Sequence, residues 1–221
     1  MKPTVGSLVA AQPSLGAVFS SLGIDYCCGG HLTLEEAAAE KKLDPRTLEL
    51  VLAALPARAV SAPGENPADF PTPRLIEHIV NHHHAYVKRQ LPRLEALASK
   101  VVRAHGDAHK SLTKLEAGVF RLSKTLSEHL SREEAELFPA LIAAGPGVNA
   151  GVAATLAPFF EEHEEAGALL VQFRELTDQY AHPVWACSTY RTFMDELRDF
   201  ETDLHQHVHL ENNVLFHRIA G

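Results

Sequence analysis

The chain is poor in cysteine, in basic residues, in aromatics and in long apolar runs, and each shortage removes a class of protein. Its 221 residues hold three cysteines, Cys27, Cys28 and Cys187. An odd and sparse set cannot form the disulfide framework of a small secreted domain, and it points to the reducing cytoplasm. No run of about 18 apolar residues occurs, so no transmembrane helix and no membrane partner are expected. The short apolar stretch Leu8–Ala11 is cut by Gln12-Pro13, too early for a signal-peptide core. Lys and Arg number 20 against 28 Asp and Glu, a net charge of -8. That balance argues against a nucleic-acid partner, because neutralising phosphates takes clustered cations. Aromatics make up only 7% while Ala and Leu are plentiful, which favours helix over sheet.

What the chain has in excess is histidine, 14 in all, and part of that excess is organised. His129-x-x-x-Glu133 runs on to Leu137-Phe138, and His207-x-x-x-Glu211 runs on to Leu215-Phe216 at the same offset. A further candidate stands ahead of each copy: His84, 45 residues before His129, and His163, 44 residues before His207.

Punctuation divides the chain. Residues 1–56 read as a small domain of short helices, broken by Pro13, Gly23 and Gly29-Gly30. Thr33 and Glu36 form a capping-box signature, and Asp44-Pro45 opens another helix. Residues 57–72, with Ser61, Pro63, Gly64, Pro67 and Pro71, read as a linker. Residues 73–221 hold four helical segments, near 73–104, 109–143, 150–180 and 184–217. Short connections between long helices predict an all-α, antiparallel up-down four-helix bundle.

In the last segment Phe193, Leu197, Phe200, Leu204, His207, Glu211 and Val214 share one helical stripe. In the second, Leu115, Val119, Leu122, Leu126, His129, Glu133 and Leu137 do so. Each polar pair therefore interrupts an apolar seam. One copy alone reads as an ordinary surface hydrogen bond between residues four apart. Two copies inside core stripes read differently, since an unpartnered buried carboxylate costs several kcal/mol. Positions i and i+4 lie one above the other, so each pair aims an imidazole and a carboxylate at one locus. The histidine can ligate one metal and the glutamate can bridge to a second. His163 joins Leu156, Phe160, Gly167 and Leu170 on the third stripe. The expected ligands are His84, His129, Glu133, His163, His207 and Glu211, a mixed N/O set with open positions that suits iron or manganese better than structural zinc.

On the first helix, His82, His83 and His84 cannot all face inward. The periodicity of Ile76, Val80, Val87, Leu91 and Leu94 slightly favours His83, whereas the repeat spacing favours His84; His84 is taken, with His83 as the alternative. His105 lies 21 residues beyond His84, roughly 30 Å along a continuous helix, and belongs at the other end of the bundle. Glu161, Glu162, Glu164 and Glu165 around His163 read as a solvated acidic face, with an acidic path for iron as the alternative. The vicinal Cys27-Cys28 pair reads as a redox pair or transient iron ligand, its sulfurs exposed by the neighbouring glycines, against the alternative of two small buried residues. Cys187 reads as core packing.

The segment Leu22-Gly23-Ile24-Asp25-Tyr26-Cys27-Cys28-Gly29-Gly30 resembles the N-terminal domain of the bacterial iron-sulfur cluster repair di-iron proteins. The C-terminal part, with His207-x-x-x-Glu211-Asn212-Asn213-Val214-Leu215-Phe216, resembles their hemerythrin-like domain. The histidine six residues before Gln90-Leu91-Pro92 corresponds to a family ligand, which supports His84. Val87 stands where the family can carry a second histidine. The resemblance implies a non-haem centre of two iron ions, oxo- or hydroxo-bridged, and a role in recovery from nitrosative and oxidative stress. It implies iron donation to damaged iron-sulfur proteins, and a proposed reduction of nitric oxide to nitrous oxide fed by an electron donor. Nitric oxide or oxygen would be the small ligands, and a homodimer stays open. The competing class is a binding protein, a hemerythrin-like oxygen or redox sensor or an iron store without turnover; a third reading is a peroxide-consuming enzyme. No catalytic residue beyond the metal centre and the cysteine pair is singled out.

Overall fold

Helix starts in this chain are written locally. Thr4 and Thr33 each accept a hydrogen bond from the backbone three residues on, and Ser7 and Glu36 reach back to the capping backbone, closing two capping boxes. Asp44 likewise accepts from Thr47 N at 2.9 Å, one residue before Pro45 begins a helix. The computed structural model describes residues 2–54, 66–145 and 147–220. Of the expected linker, residues 57–65 lie outside the described residues. The rest is a 3-10 turn, Pro67–Asp69, leading into helix.

The protein is all-α, with a hemerythrin-like helical bundle as its fold. Its helices are α1 (Val5–Ala11), α2 (Leu15–Ser21), α3 (Leu34–Glu40), α4 (Pro45–Ala54), α5 (Thr72–His78), α6 (Ala85–His105), α7 (Ser111–Arg132), α8 (Phe138–Ala144), α9 (Ala150–Ala153), α10 (Ala157–Leu176), α11 (Ser188–Leu210) and α12 (His217–Ala220). Three π-helical segments are inserted between them: π1 (Ile79–His84), π2 (Glu133–Leu137) and π3 (Glu211–Leu215). None of the described helices is long and apolar enough to cross a membrane.

Two compact units emerge. One comprises Val80–Ala140 and Ala157–Leu204. Here α6, α7, α10 and the first part of α11 form a closed antiparallel four-helix bundle, and ion pairs record the directions. Lys88 meets Glu134, and Ser99 meets Glu116, so α6 and the α7–π2 run are antiparallel. His129 meets Glu162 while Arg121 meets Glu165, and Arg174 meets Glu201 while Arg198 donates to Tyr180 O, giving the same sense to the next two pairs. Arg93 on Glu196 and His83 on Asp203 close the ring between α6 and α11. The expected stripes form its core: Leu115, Val119, Leu122 and Leu126 on α7 and Phe193, Leu197, Phe200 and Leu204 on α11 are all buried. Of the two adjacent rings on α10, Phe159 is buried and Phe160 only partly so.

The other unit takes in Met1–Ile79, Leu141–Leu156 and His205–Gly221. Its core gathers Val5, Val9, Leu15, Phe19, Ile24, Tyr26, Leu34, Ala37, Ala38 and Leu48. The end of the chain joins it: Asn149 N donates to Ile219 O at 3.0 Å, and the Arg218 guanidinium donates to the carbonyls of Ala68 and Phe70.

The segments differ from expectation in three respects. The third helix is split, because Asn149 caps the short α9 and turns at Thr155 and Leu156 end it before α10 starts. The fourth starts at Ser188, after a turn closed by Ala186 N on Pro183 O. The π segments were not expected at all. Phe138 N reaches back to Glu133 O and Phe216 N to Glu211 O, five residues instead of four. Such one-turn widenings gather at functional positions, and here two of them begin at the glutamates of the repeated motif while the third ends at His84.

Candidate metal centre

The bundle unit brings four of the six candidate ligands together. His84 comes from the end of π1, His129 from the last turn of α7, Glu133 from the start of π2 and His163 from α10. All four side chains are buried, Glu133 completely. Glu133 presents its two oxygens to different histidines. Oε2 lies 3.5 Å from His84 Nε2; Oε1 lies 3.2 Å from His129 Nε2 and 4.0 Å from His163 Nε2. Donor atoms of His129, Glu133 and His163 all fall within 4.8 Å of one another, a spacing that could hold a metal ion. In the other unit, His207 Nε2 and Glu211 Oε1 lie 3.0 Å apart, again fully enclosed. His83, the periodicity alternative, turns instead to Asp203, its Nδ1 3.0 Å from Oδ1.

A second layer of carboxylates orients the imidazoles. His84 Nδ1 donates to Glu134 Oε1 at 2.7 Å, and Lys88 Nζ donates to both oxygens of the same carboxylate. His129 Nδ1 donates to Glu162 Oε2 at 2.6 Å, and the Arg132 guanidinium grips that oxygen as well. Partial burial pushes both carboxyls upward, but the hydrogen bonds from Lys88 and His84 to Glu134, and from Arg132 and His129 to Glu162, outweigh it and hold them below the usual range. Ionised acceptors at Nδ1 assign the proton to that nitrogen and leave the Nε2 lone pair facing inward. The expectation that Glu162 belongs to a solvated acidic face is therefore corrected, because it is tied to His129.

The donor set fits a cation. Both Glu133 oxygens are buried and accept no hydrogen bond from the described residues. The Nε2 atoms of His129 and His163 stand 3.0 Å apart beside them. A fully buried anion among imidazole nitrogens is costly unless positive charge lies beside it. A divalent metal supplies that charge without disturbing the outer hydrogen bonds.

The cysteine loop is built differently from expectation. Asp25 Oδ1 accepts from Cys27 N at 2.9 Å, from Cys28 N at 3.0 Å and from the Cys27 thiol at 3.0 Å. This turns Cys27 into the core, so only Cys28 is partly exposed, instead of both sulfurs. The adjoining Cys28 and burial push the Cys27 thiol well above its ordinary range. Gly29 permits the tight loop, since a Cβ there would sit 2.6 Å from Asp25 O. Asp25, Cys27 and Cys28 form a further group whose donor atoms could hold a metal. Cys187 is not simple packing either: its Sγ is 3.2 Å from His105 Nε2, beside Trp185.

Glu134, Glu162 and Asp25 are the residues whose supporting role sequence reasoning missed. Glu134 and Glu162 each adjoin a proposed ligand in sequence, and Asp25 stands two residues before Cys27, which were usable signals.

Comparison with known proteins places the chain in a family. Residues 75–219 match the hemerythrin HHE cation binding domain, and residues 1–56 match a domain of unknown function, DUF542. Among curated proteins, the iron-sulfur cluster repair protein YtfE of Musicola paradisiaca is 38% identical over 97% of this chain and 95% of its own length. YtfE of Escherichia coli O157:H7 is 37% identical over 98% and 96%. ScdA of Staphylococcus haemolyticus, also an iron-sulfur cluster repair protein, is 32% identical over 98% and 97%. The chain belongs to the hemerythrin HHE cation-binding family and, along nearly its whole length, to the iron-sulfur cluster repair proteins.

Proposed function

We propose that this protein holds two iron ions with His84, His129, Glu133, His163, His207 and Glu211, and supplies iron to iron-sulfur clusters damaged by nitrosative or oxidative stress. The observation that carries the reading is Glu133, buried and turning one oxygen to His84 and the other to His129 and His163. A carboxylate addressed on both oxygens by separate imidazoles suits a bridge between two cations. Glu211 supports the same role on α11, whose core stripe runs on into His207 and Glu211. Iron bound there supplies an exchangeable, redox-active metal with open positions for small ligands such as nitric oxide or oxygen. The outer carboxylates Glu134 and Glu162 keep the imidazoles in one tautomer, and burial excludes competing water.

In the proposed division of labour, residues 1–56 carry the cysteine pair, 57–72 connect, and 73–221 store the metal. Cys28, half-exposed, offers iron a soft ligand on its way to a client protein, with Cys27 behind it. The test is a cytosolic-type repair assay. Iron-loaded protein is mixed anaerobically with an enzyme whose iron-sulfur cluster has been damaged by nitric oxide, and recovery of that enzyme is followed. Recovery with native protein, lost in the Cys27→Ser, Cys28→Ser double variant while its iron content stays full, is the expected result. Iron retained with no recovery by native protein would return the chain to storage or sensing. Headspace nitrous oxide after adding nitric oxide to the reduced protein separates reduction of nitric oxide from iron donation.

A further inference from the structure

The two most distinctive segments of the sequence, Asp25–Gly30 and Glu211–Phe216, meet in the structure. His205, His209 and Asn213 recur every four residues along α11 and π3, on the side opposite His207 and Glu211. All three face the cysteine loop or its tyrosine. Asn213 Nδ2 donates to Cys27 O at 2.8 Å and to Tyr26 O at 3.3 Å. His209 Nδ1 lies 3.4 Å from Tyr26 O, and its ring meets the Tyr26 ring edge-on at 5.6 Å, with His205 also edge-on at 6.1 Å. The Asn213 amide oxygen fills a slot between two glycines: a Cβ on Gly30 would stand 2.1 Å from it, and one on Gly6 2.3 Å. Gly6 N donates to Gly30 O at 2.8 Å, which closes the slot.

One short piece of helix thus carries two proposed metal ligands on one side and the seat of the cysteine loop on the other. Glu211 opens the π turn that contains Asn213. We propose that Asn213, assisted by His209, is a positioning residue for the cysteine pair, and that metal held by His207 and Glu211 steadies the π turn, keeps Asn213 in its slot and so restrains the loop that carries Cys28. The inference rests on the reading of His207 and Glu211 as metal ligands. A cation fixed to Glu211 removes local opening of a one-turn, widened element. Opening of that turn would withdraw both Asn213 donors from the loop. Linkage makes the effect reciprocal: release of metal frees the loop, and modification of Cys28 loosens the metal by the same factor. The loop would then become most available as iron leaves, which is when a transfer ligand is needed.

The experiment uses the full chain, metal-free and reloaded anaerobically with ferrous iron, and follows alkylation of Cys28 by iodoacetamide through peptide mass. Iron per chain is measured on the same samples. Native protein should alkylate on the order of five- to tenfold faster when metal-free than when loaded, the lower end of ordinary coupling between sites. Asn213→Asp keeps the shape but replaces the donor with an acceptor facing two carbonyls. Gly30→Ala wedges the slot from the other side, and it serves if the first variant folds poorly. Each variant should retain iron and alkylate fast in both states, erasing the difference. Equal native rates with and without iron overturn the proposal, as do variants that keep the native ratio. A native chain that takes up no iron refutes the metal reading itself, and the coupling falls with it.

Discussion

At His129-Glu133 the outer imidazole nitrogen is held by Glu162, itself gripped by Arg132. At His207-Glu211 the same spacing occurs on a helix whose other side seats Tyr26 and Cys27 through His209 and Asn213. Locally the two copies are alike. Each glutamate begins a π turn, and each is followed by a buried Leu-Phe pair, Leu137-Phe138 and Leu215-Phe216. Their surroundings differ. The first copy is braced by charged side chains at a rim open to solvent, and the second by neutral backbone carbonyls of a cysteine loop. The same local pattern thus stands in two settings, one braced by charged side chains and one backed by a cysteine loop.

The widest test of that comparison removes both glutamates. Glu133→Leu with Glu211→Leu should give a folded bundle without metal, falling from about two irons per chain to none, since apolar volume replaces the carboxylates proposed to join the ions. Circular dichroism and iron analysis check it. The two single variants ask whether the copies are equal, and unequal iron loss would show that one glutamate dominates.

Next in size is the first-helix histidine. His84→Ala should lose most metal, whereas His83→Ala, whose imidazole faces Asp203, and His105→Ala, beside Cys187, should keep it. Iron content and the visible absorption of the loaded protein report the outcome. Metal loss in His83→Ala alone would reverse the assignment.

A smaller effect should follow from the outer carboxylate. Glu162→Gln keeps the shape but weakens the hydrogen bond to His129 Nδ1, and metal affinity should drop about 10- to 100-fold, read by competition with a chelator. Asn213→Asp, on the other copy, should cost no more than the roughly five- to tenfold coupling, because its partners are backbone carbonyls and not a ligand nitrogen. Equal losses would erase the distinction between a braced copy and a communicating one.

The mildest effect concerns pH. The neighbouring Cys28 and burial raise the Cys27 thiol, so the folded state favours its protonated form more than the unfolded chain does. This stabilisation is complete below the unfolded thiol value, about 8.5, and is lost as pH rises from there through the folded value. Thermal melts between pH 7 and 10 should fall more steeply for the native chain than for Cys27→Ala. At pH 8, alkylation should reach Cys28 well before Cys27.

Much of this architecture was legible from residue order, and the reason is locality. Capping at Thr33 and Glu36, the proline start at Pro45 and the apolar stripes of α7 and α11 depend on residues within a turn or two, and each stands where periodicity put it. Less local features escaped. A π turn at Glu133 or Glu211 arises when a backbone donor chooses a partner five residues back, and composition does not announce that choice. The split of α9 from α10 turned on the capping side chain of Asn149.

By itself, the order of residues determined the all-α class, the bundle and the repeated His-x-x-x-Glu pairs, because helical period converts spacing directly into a shared face. Only the tertiary structure decided that Glu162 serves His129, that the Cys27 carbonyl meets Asn213, and that Asn213 locks against Gly30. His129 is 33 residues from Glu162, and Cys27 is 186 from Asn213. Hydrogen bonds across such separations exist only once packing has removed water and brought the partners together, so no local pattern encodes them.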